Sequence, residues 1–578
     1  MGGVRQNVRQ AAINSTSRHR QSLLFTPEYP KLQCIEKKGV VYTKEWVAQF
    51  ILDLAGYSED QNLVDSIAVE PAAGEGAFLV PMVRRLISSC RRQNRPLSEC
   101  AASLIAFELD EASADSARAA VVRFLRSQSA DESLAQSLAN SWVRTGDFLF
   151  EAFKLPEVDF VIGNPPYVRL EDIPEQVAGL YRESYPTMTG RADLYVAFYE
   201  AGLRQLRSGG VCAFICADRW MLNQYGADLR NLVTSGYAVE AIIEMYQADA
   251  FHDDVSAYPA ITVLRKGAQE NAVVASATVE AESQGPYALA AAIQGARTAS
   301  QVAIPGLTIA TVKTWFSNSD PWPCSSPRKL ALLRRIEERF GPLESDGGST
   351  RVGIGVATGL DDAFITTEPH LVEPSRLLPL ALAKDTLTGH LEWSGHFLVD
   401  PWNGEGLVNL RDYPRLKAYF EKHAVLLKKR HTAQKNSLAW YRTIDRVTHS
   451  LASKPKLYVA DIQDELNPVL DHGKTYPHHN LYFIQSDDWD LEVLGGILLS
   501  AVAHLFMESY GVKMRGGYLR FQAQYLRRIR VPDPLTISAQ HQEVLRQAFR
   551  RRNRALATSV AQELFDITSA ELEATVGS

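Results

Sequence analysis

The sequence predicts an α/β protein with a doubly wound, mostly parallel sheet, followed by a second domain of α+β type. Short apolar strands alternate with amphipathic helices through the first half of the chain. Turns that carry glycine, proline or acidic residues follow several of those strands. Beyond about residue 320 the alternation gives way to many aromatic residues and basic clusters, which indicates a separate domain.

The elements of the first half follow from their apolar spacing. Residues 1–34 are polar and basic and predict a loose N-terminal arm. Thr43 stands where a helix cap is expected, ahead of apolar residues at helical spacing, and Gly56 would end that helix. The further predicted helices are residues 78–90, 112–125 and 194–206, and the predicted strands are residues 65–70, 104–108, 158–162, 211–216, 238–245 and 260–264.

A domain boundary is predicted near residue 320. The first domain would span residues 35–320, and its last part, residues 267–320, is rich in Ala, Gly, Ser and Thr. That composition with weak periodicity is typical of a linker or a surface decoration. The second domain would span residues 321–578 and ends in a segment of helical composition from residue 537 on.

The composition excludes several classes of protein. A hydrophobic fraction of 46% and a formal net charge of -6 exclude a disordered chain and a polybasic coat, although a local basic groove stays open. The N-terminal segment has no apolar stretch of the secretory type. The longest near-apolar run, residues 493–507, is shorter than the roughly 20 residues that cross a bilayer. We therefore expect a cytoplasmic protein without a membrane segment.

The cysteines indicate neither disulfides nor a metal site. The chain has six cysteines, no C-x-x-C pair and no histidine cluster at zinc-finger spacing, so no metal ligands are predicted. Cys212 and Cys216 lie on an apolar strand and are expected in the core. Cys324, in the only Pro-Cys pair, lies far from the motifs below, which disfavours a reaction that needs a thiolate nucleophile.

Two motifs follow the first two predicted strands, at the edge where parallel sheets bind ligands. The turn E-P-A-A-G-E-G-A-F, residues 70–78, contains Gly74 and Gly76, which permit a tight turn and a close backbone approach. Glu108 at the tip of the second strand is suited to accept hydrogen bonds from vicinal ribose hydroxyls. For the turn alone, the alternative is an ordinary strand-to-helix turn. For Glu108 alone, the alternative is a surface carboxylate at a strand end.

A third motif, T-G-D-F, precedes the next predicted strand. Asp147 could accept a hydrogen bond from an exocyclic adenine amine, with Phe148 against the face of the ring. A plain Gly-Asp turn is the alternative.

The fourth motif, N-P-P-Y, follows the strand at residues 158–162. Asn164 offers an amide oxygen, and Pro165 and Pro166 stiffen the loop and remove two N–H donors. Tyr167 adds a flat stacking surface. Such a loop suits a planar base that carries an amino group.

Taken in order, these motifs resemble the gamma class of DNA adenine-N6 methyltransferases from restriction–modification systems, over nearly the whole chain. The D-L-Y-x-x-F helix and the Gly-Gly strand of that family have matches at residues 193–198 and 209–210. The resemblance implies the fold of class I S-adenosylmethionine-dependent methyltransferases and a C-terminal target-recognition domain. The segment V-G-I-G-V-A-T-G-L-D-D-A-F, residues 352–364, resembles the start of that domain.

The resemblance implies S-adenosyl-L-methionine as the cofactor, bound across the turn at residues 70–78. Thr43 would help to hold its methionine end, Glu108 its ribose, and Asp147 its adenine, flanked by Phe148. The residues implied in cofactor binding are Thr43, Glu70, Pro71, Ala72, Gly74, Gly76, Phe78, Glu108, Leu109, Asp147, Phe148 and Asn164.

The resemblance also implies that the target adenine leaves the duplex, because its N6 atom is unreachable inside the base stack. Tyr167 and Phe251 would sandwich the base, with Tyr258 as the alternative to Phe251. The Asn164 side-chain oxygen and the Pro165 carbonyl would accept hydrogen bonds from the amine and stabilise the charge that develops on it. The catalytic set is Asn164, Pro165, Pro166, Tyr167 and Phe251.

Double-stranded DNA is the implied partner, with a separately encoded cognate restriction endonuclease as a second candidate. We expect a monomer in the bacterial cytoplasm, associated with the nucleoid. Basic clusters of the second domain predict DNA contacts at Lys428, Lys429, Arg430, Arg515, Gly516, Tyr518 and Arg520. Methylation of RNA, of cytosine N4 or of protein glutamine, and a non-catalytic DNA-binding subunit, stay open as alternatives.

Overall fold

The computed structural model describes residues 41–252, 258–298, 303–313, 315–322, 327–513, 518–573 and 575. The chain divides into two compact units, the first running to Pro327 and the second from Arg328 to Gly577. We call them unit 1 and unit 2. The division falls shortly after the boundary predicted at residue 320. The predicted N-terminal arm lies outside the described residues.

Unit 1 is built on one large mixed sheet. Its strands are β1 (Ala68–Glu70), β2 (Leu104–Glu108), β3 (Val143–Thr145), β4 (Val158–Gly163), β5 (Leu206–Ala217), β6 (Tyr237–Gln247), β7 (Pro259–Lys266), β8 (Ala272–Thr278) and β9 (Leu307–Val312). Over the described residues, the sheet has nine strands in the order β3-β2-β1-β4-β5-β7-β6-β8-β9. This arrangement confirms the α/β fold.

The direction of the strands creates a switch point in the middle of the sheet. Strands β3, β2, β1, β4 and β5 run parallel, whereas β7 is antiparallel to both β5 and β6. The chain places β2 and β3 on one side of β1 and β4 and β5 on the other. In open α/β sheets, ligands bind in the crevice outside the carboxyl ends of the strands at such a reversal.

Helices connect these strands, and each of the four helices that the sequence predicted is present to within a few residues. They are α1 (Glu45–Ala55), α2 (Leu79–Arg92), α3 (Glu111–Ser127), α4 (Glu132–Trp142), α5 (Phe148–Glu151), α6 (Glu175–Ser184), α7 (Tyr195–Gln205), α8 (Arg219–Leu222), α9 (Ala227–Gly236) and α10 (Pro286–Arg297). Gly56 ends α1 with a φ of 74°, as predicted. Cys212 and Cys216 are buried in β5, which also confirms the expectation for them.

The interpretation of residues 267–320 as a linker is wrong. This stretch contributes β8, α10 and β9, and β8 pairs with β6 inside the large sheet. Helix α10 packs against α1, where Gln294 donates a hydrogen bond to the Asp53 carbonyl at 3.2 Å. Alanines supply much of the buried surface here, and such small side chains give little apolar contrast in a sequence.

Unit 2 combines several small sheets with helices and so has the α+β character that was predicted. Its strands are β10 (Gly341–Pro342), β11 (Arg351–Ile354), β12 (Ile365–Thr366), β13 (Leu377–Ala381), β14 (Phe397–Val399), β15 (Lys456–Ala460), β16 (Ile462–Gln463), β17 (Val469–Asp471), β18 (Tyr476–Pro477), β19 (Leu481–Gln485), β20 (Val512–Lys513), β21 (Leu519–Arg520) and β22 (Arg530–Val531). Within the described ranges, the two larger sheets have the orders β11-β19-β15-β17 and β12-β14-β13-β18.

The helices of unit 2 include the helical C-terminal segment predicted from residue 537. They are α11 (Pro327–Arg339), α12 (Asp361–Phe364), α13 (Pro414–Lys429), α14 (His431–Lys435), α15 (His449–Ser453), α16 (Leu491–Leu499), α17 (Ala501–Tyr510), α18 (Ala523–Leu526), α19 (Ala539–Arg550), α20 (Arg554–Phe565) and α21 (Ser569–Glu573). Most of the core of unit 2 lies where α16 and α17 meet β11, β15 and β19.

The apolar run near residue 500 forms two helices. Ser500 has an extended backbone and caps α17 by accepting a hydrogen bond from the Ala503 amide, which bends the path by 64°. In the part of the chain that the structure describes, no single helix has the length and apolar character needed to cross a membrane. The bent pair α16 and α17 meets those two criteria only when its helices are taken together.

Unit 2 contains a fully buried ion pair between neighbouring strands. The Lys456 Nζ atom lies 2.8 Å from Asp471 Oδ2, and neither side chain is exposed. Asp471 also accepts hydrogen bonds from the Thr475 hydroxyl and from the backbone amides of Lys474 and Thr475. Removing one partner of such a pair leaves an uncompensated charge in the interior.

We expect Lys456→Met to lower the free energy of unfolding by about 3–5 kcal/mol, because Asp471 would keep its charge without a cation. The double variant Lys456→Met with Asp471→Asn should recover most of this loss, since the asparagine is neutral and keeps an acceptor. Urea denaturation of the full chain, followed by circular dichroism, measures both. Equal destabilisation by the single and the double variant would contradict this role for the pair.

Candidate functional site

Four polar side chains lie side by side at the carboxyl edge of the sheet in unit 1. Glu70 ends β1, Glu108 ends β2, Asp147 follows β3 and Asn164 follows β4. These strands are neighbours in the order β3-β2-β1-β4, so the four motifs meet at the switch point. The sequence had placed Glu70, Glu108 and Asn164 at the ends of predicted strands, whereas Asp147 was predicted only to precede a strand. The topology adds β3 and brings all four together.

The glycine turn after β1 is attached to the tip of β2. Glu108 Oε2 accepts a hydrogen bond from the Gly74 amide at 2.8 Å, and its Oε1 accepts one from the Asp110 amide at 2.9 Å. Gly74 has a φ of 52° and Gly76 a φ of 103°, both in the region that favours glycine. Glu108 therefore shapes the turn, and each of its oxygens retains a further lone pair for a ligand.

Glu70 lies in an environment that disfavours its ionised form. It is 1% exposed, and its Oε2 atom has no hydrogen-bond partner among the described residues. Burial raises the pKa of Glu70 well above its usual range, and the nearby Glu108 raises it further. A cation or an N–H donor beside Glu70 would favour its ionised form.

The other members of the predicted turn complete its wall. Pro71 and Phe78 are buried, and Ala72 is partly buried. Leu109, just beyond Glu108, is 40% exposed, which is unusual for a large apolar side chain. The turn thus presents backbone and one apolar side chain next to the buried carboxylates.

Asp147 is held in place from two sides. Its Oδ1 atom accepts a hydrogen bond from the Leu149 amide at 2.9 Å and so caps α5, and its Oδ2 accepts one from the Tyr181 hydroxyl at 2.5 Å. Burial raises the pKa of Asp147 to about 6, although both hydrogen bonds act to lower it. Tyr181 lies on α6, far along the chain, and no sequence pattern pointed to it.

Phe148, which was predicted to lie against the adenine ring of the cofactor, has a buried side chain. Its side chain is 2% exposed and packs against the rings of Phe107 and Phe198, with centroids 5.7 and 5.5 Å away. Phe198 belongs to the D-L-Y-x-x-F helix, so that motif contributes to the support of Asp147 from the core.

Asn164 has a defined orientation. Its Nδ2 atom donates hydrogen bonds to the Val41 carbonyl at 3.0 Å and to the Thr43 hydroxyl at 3.1 Å. Because a carbonyl can only accept, the nitrogen must face this side and the oxygen the other. The Oδ1 atom is buried and has no partner among the described residues.

The prediction that Thr43 caps α1 is wrong. The residue at the cap position is Lys44, and its side chain makes no capping hydrogen bond. The Thr43 hydroxyl is instead taken by the Asn164 amide, a contact between distant parts of the chain that local spacing does not reveal.

The segment around Thr43 also positions Phe251. The Lys44 amide donates to the Ala250 carbonyl and the His252 amide to the Tyr42 carbonyl, both at 3.0 Å. These bonds pair Thr43 with Phe251 in antiparallel fashion. Phe251 is thereby brought to the N-P-P-Y loop.

Of the two candidate aromatic partners, Phe251 contacts the ring of Tyr167. The two centroids lie 6.4 Å apart at an angle of 84°. Tyr258 packs instead against Tyr246, at 5.1 Å, and under the guanidinium of Arg219. The intervening residues 253–257 lie outside the described residues.

The N-P-P-Y loop is anchored at its exit. The Leu194 amide donates to the Val168 carbonyl at 2.9 Å, and the backbones of Arg169 and Asp193 form an antiparallel β-bridge. Pro165 is buried and Pro166 partly buried. Neither proline carries an N–H group, so the loop faces the crevice with acceptors. This arrangement can bind a planar group that carries N–H donors.

The predicted DNA-contacting residues of unit 2 divide into exposed side chains and side chains that make several polar contacts within the unit. Lys428 and Lys429 are exposed at the end of α13, and Tyr518 is 49% exposed. Arg430 instead donates hydrogen bonds to the carbonyls of four residues, which are Leu427, Thr358, Trp440 and Arg442. Arg520 forms an ion pair with Asp461 at 2.9 Å.

These contacts change the interpretation of two residues. Arg430 and Arg520 hold neighbouring segments of unit 2 together, so part of the hydrogen-bonding capacity of each is already used within the unit. A run of basic letters looks the same in a sequence whether the side chains face solvent or carbonyl groups. Arg515 and Gly516 lie outside the described residues.

Comparisons with known proteins identify relatives of this chain. The sequence profile of the Eco57I restriction-modification methylase family matches residues 110–251. The chain is 43% identical over 504 residues to the type II methyltransferase M.PaeR7I of Pseudomonas aeruginosa, with 86% of each chain covered. It is 40% identical over 548 residues to M.XhoI of Xanthomonas vasicola, with 93% of this chain and 98% of the relative covered.

A solved structure supports the fold as well. The type IIL restriction-modification enzyme MmeI, determined in complex with DNA, superimposes with a TM-score of 0.54 at 13% identity. The match covers 92% of this chain and 73% of that one. At this level of identity the likeness concerns the fold alone.

Proposed function

The chain belongs to the type II restriction–modification methyltransferases, and on that premise we propose that it transfers a methyl group from S-adenosyl-L-methionine to N6 of an adenine in a short double-stranded DNA motif. The family membership covers DNA methylation within a restriction–modification system. The choice of an amino group as the methyl acceptor rests on the side-chain oxygen of Asn164, which is buried and has no hydrogen-bond partner among the described residues.

The first step of the argument concerns the amine. The adenine amino group offers two N–H donors, and it is a weak nucleophile because its lone pair is delocalised into the ring. Asn164 Oδ1 and the Pro165 carbonyl would accept these two hydrogen bonds. Acceptors that are fixed in advance stabilise the positive charge that develops on the nitrogen as the methyl group arrives. The contacts to Val41 and Thr43 supply that fixation.

The second step concerns the cofactor, whose donor groups fit the buried carboxylates of the same edge. S-adenosyl-L-methionine supplies an electrophilic methyl group on a positively charged sulfur. A cationic ligand would favour the ionised form of Glu70, whose oxygen has no partner. Glu108 would accept from ribose hydroxyls and Asp147 from the adenine amine. Tyr181 and Phe148 would hold Asp147 in place.

The third step concerns the target base. A base inside a duplex cannot reach a crevice at the edge of a sheet, so the adenine must leave the stack. Tyr167 and Phe251, whose rings already touch next to Asn164, would take the base between them. Their edge-to-face contact would have to open for this, which favours Tyr167 as the main stacking partner because it lies on the catalytic loop.

The fourth step assigns the two units. We assign residues 35–327 to methyl transfer and unit 2 to recognition of the DNA motif, with double-stranded DNA as the partner. Lys428 and Lys429 would contact phosphates, and Tyr518 offers an exposed ring. A separately encoded restriction endonuclease and a monomeric state complete the proposal.

We expect Asn164→Ala to reduce methyl transfer at least about 100-fold, because it removes one of two acceptors for the amine. Affinity for S-adenosyl-L-homocysteine should stay within about threefold of wild type, since the carboxylates remain. Single-turnover transfer of labelled methyl groups to DNA, with calorimetric binding in parallel, measures both. The exposed Asn140→Ala on α4 is the matched control and should transfer at the wild-type rate.

Identification of the product separates the alternatives. Nuclease digestion and mass spectrometry should give N6-methyldeoxyadenosine. N4-methyldeoxycytidine would keep the acceptor mechanism and overturn the choice of base. Wild-type transfer by Asn164→Ala would overturn the mechanism itself.

We expect the affinity for S-adenosyl-L-homocysteine to fall as the pH drops below about 6, because protonation of Asp147 turns an acceptor oxygen into a donor. The loss should approach about tenfold per pH unit. Tyr181→Phe removes a hydrogen bond that favours the carboxylate, so the pKa of Asp147 rises and the loss begins at higher pH. Calorimetric titrations between about pH 5 and 8 test this.

Asp147→Asn is the control for that experiment. It should bind more weakly at neutral pH and lose this part of the pH dependence, while any contribution from Glu70 would remain. An identical pH profile for wild type and Tyr181→Phe would contradict the assigned coupling between Tyr181 and Asp147.

A further inference from the structure

Unit 2 brings three potential metal ligands together, none of which belongs to the site described above. Ligand atoms of Asp361, His478 and His479 all lie within 4.8 Å of one another. His478 is 5% exposed, and neither of its ring nitrogens has a hydrogen-bond partner among the described residues. Burying an imidazole with both nitrogens unsatisfied is costly, and such a group calls for a partner.

The spacing of the ligand atoms indicates what that partner is. His478 Nε2 lies 3.4 Å from Asp361 Oδ2, yet the two atoms do not have the geometry of a hydrogen bond. Two ligands at about 2.0–2.2 Å from a tetrahedral ion lie about 3.3–3.6 Å apart. The rings of His478 and His479 are also in contact, with centroids 4.0 Å apart. His479 and Asp361 are the exposed ligands, and movement of their side chains would bring the three ligand atoms to the spacing that an ion requires.

The backbone holds the two contributing segments against each other. Val356 pairs with His478, and the His479 amide donates to the Val356 carbonyl at 3.1 Å. The His478 amide donates to the Ala381 carbonyl at 3.0 Å. A Cβ atom at Gly355 would lie 2.1 Å from the His478 carbonyl oxygen, so this close approach requires glycine. The ligand segments are therefore positioned without an ion.

Asp361 is oriented by a neighbouring side chain. The Thr358 hydroxyl donates to Asp361 Oδ1, which leaves Oδ2 directed at His478. Ligating carboxylates in proteins are commonly held by such outer hydrogen bonds. The T-G-L-D segment, residues 358–361, thus supplies both the ligand and its support.

We propose that Asp361, His478 and His479 bind one divalent transition-metal ion of the zinc type. Imidazole and carboxylate ligands together suit zinc, cobalt or nickel, whereas calcium and magnesium prefer oxygen ligands. Three protein ligands leave a coordination position for water. The ion would join the first residue of α12 to the segment between β18 and β19. This inference does not rest on the proposed methyl transfer.

The test uses the full-length chain without an affinity tag, stripped with a chelator and dialysed. Titration with Co²⁺ should give visible absorption bands that saturate at one equivalent, and Zn²⁺ should displace them. His479→Ala and Asp361→Asn, both at exposed positions, should weaken Co²⁺ binding at least about tenfold. His390→Ala, an exposed histidine elsewhere in unit 2, is the matched control and should bind like wild type.

Thermal unfolding of the same proteins separates loss of the ligand from loss of the fold. Without metal, the three variants should unfold at the wild-type temperature, and Zn²⁺ should raise that temperature in wild type and His390→Ala only. The proposal is overturned if wild type binds no stoichiometric Co²⁺ or Zn²⁺, or if His479→Ala and Asp361→Asn bind as tightly as wild type.

Discussion

The fixed orientation of the Asn164 amide is the constraint on which the rest of the site depends. Two acceptors, the Val41 carbonyl and the Thr43 hydroxyl, take both N–H groups and force the oxygen into the crevice. The segment that supplies them is in turn held by its antiparallel bridge to Phe251. One short antiparallel contact therefore fixes both the Asn164 amide and the position of Phe251.

The carboxylates beside this amide impose a second constraint. Glu70 and Asp147 are buried, and burial raises the pKa of both above the ordinary range. Their neighbourhood favours ligands with positive charge and N–H donors, which is the chemistry of a sulfonium cofactor that carries an adenine. Apart from Glu108 and Phe148, the side chains that hold these carboxylates in place lie on elements that contribute no predicted cofactor-binding residue. Helices α6 and α7 are examples. Precision at the edge of the sheet thus depends on helices behind it.

Sequence reasoning identified features that depend on neighbouring residues and missed features that depend on residues far apart in the chain. Three of the four strand-end motifs could be predicted because a strand, a turn and a polar residue follow one another in the chain, whereas the short strand before Asp147 was missed. The roles of Thr43, Tyr181 and Arg430 could not, since each depends on a partner many residues away. Residues 267–320 were interpreted wrongly because small side chains pack well without a strong apolar pattern. The proposed metal site was missed because Asp361 stands too far along the chain from His478 and His479 for any spacing rule.

The most direct test of the central claim is the modification of DNA in living cells. DNA from bacteria that express this protein, or its Asn164→Ala variant, would be mapped by single-molecule sequencing that detects modified bases. The account predicts N6-methyladenine at one short motif in the first DNA and none in the second. Adenine marks in both, or a modified base other than adenine at the motif, would contradict the role assigned to the Asn164 oxygen and the Pro165 carbonyl.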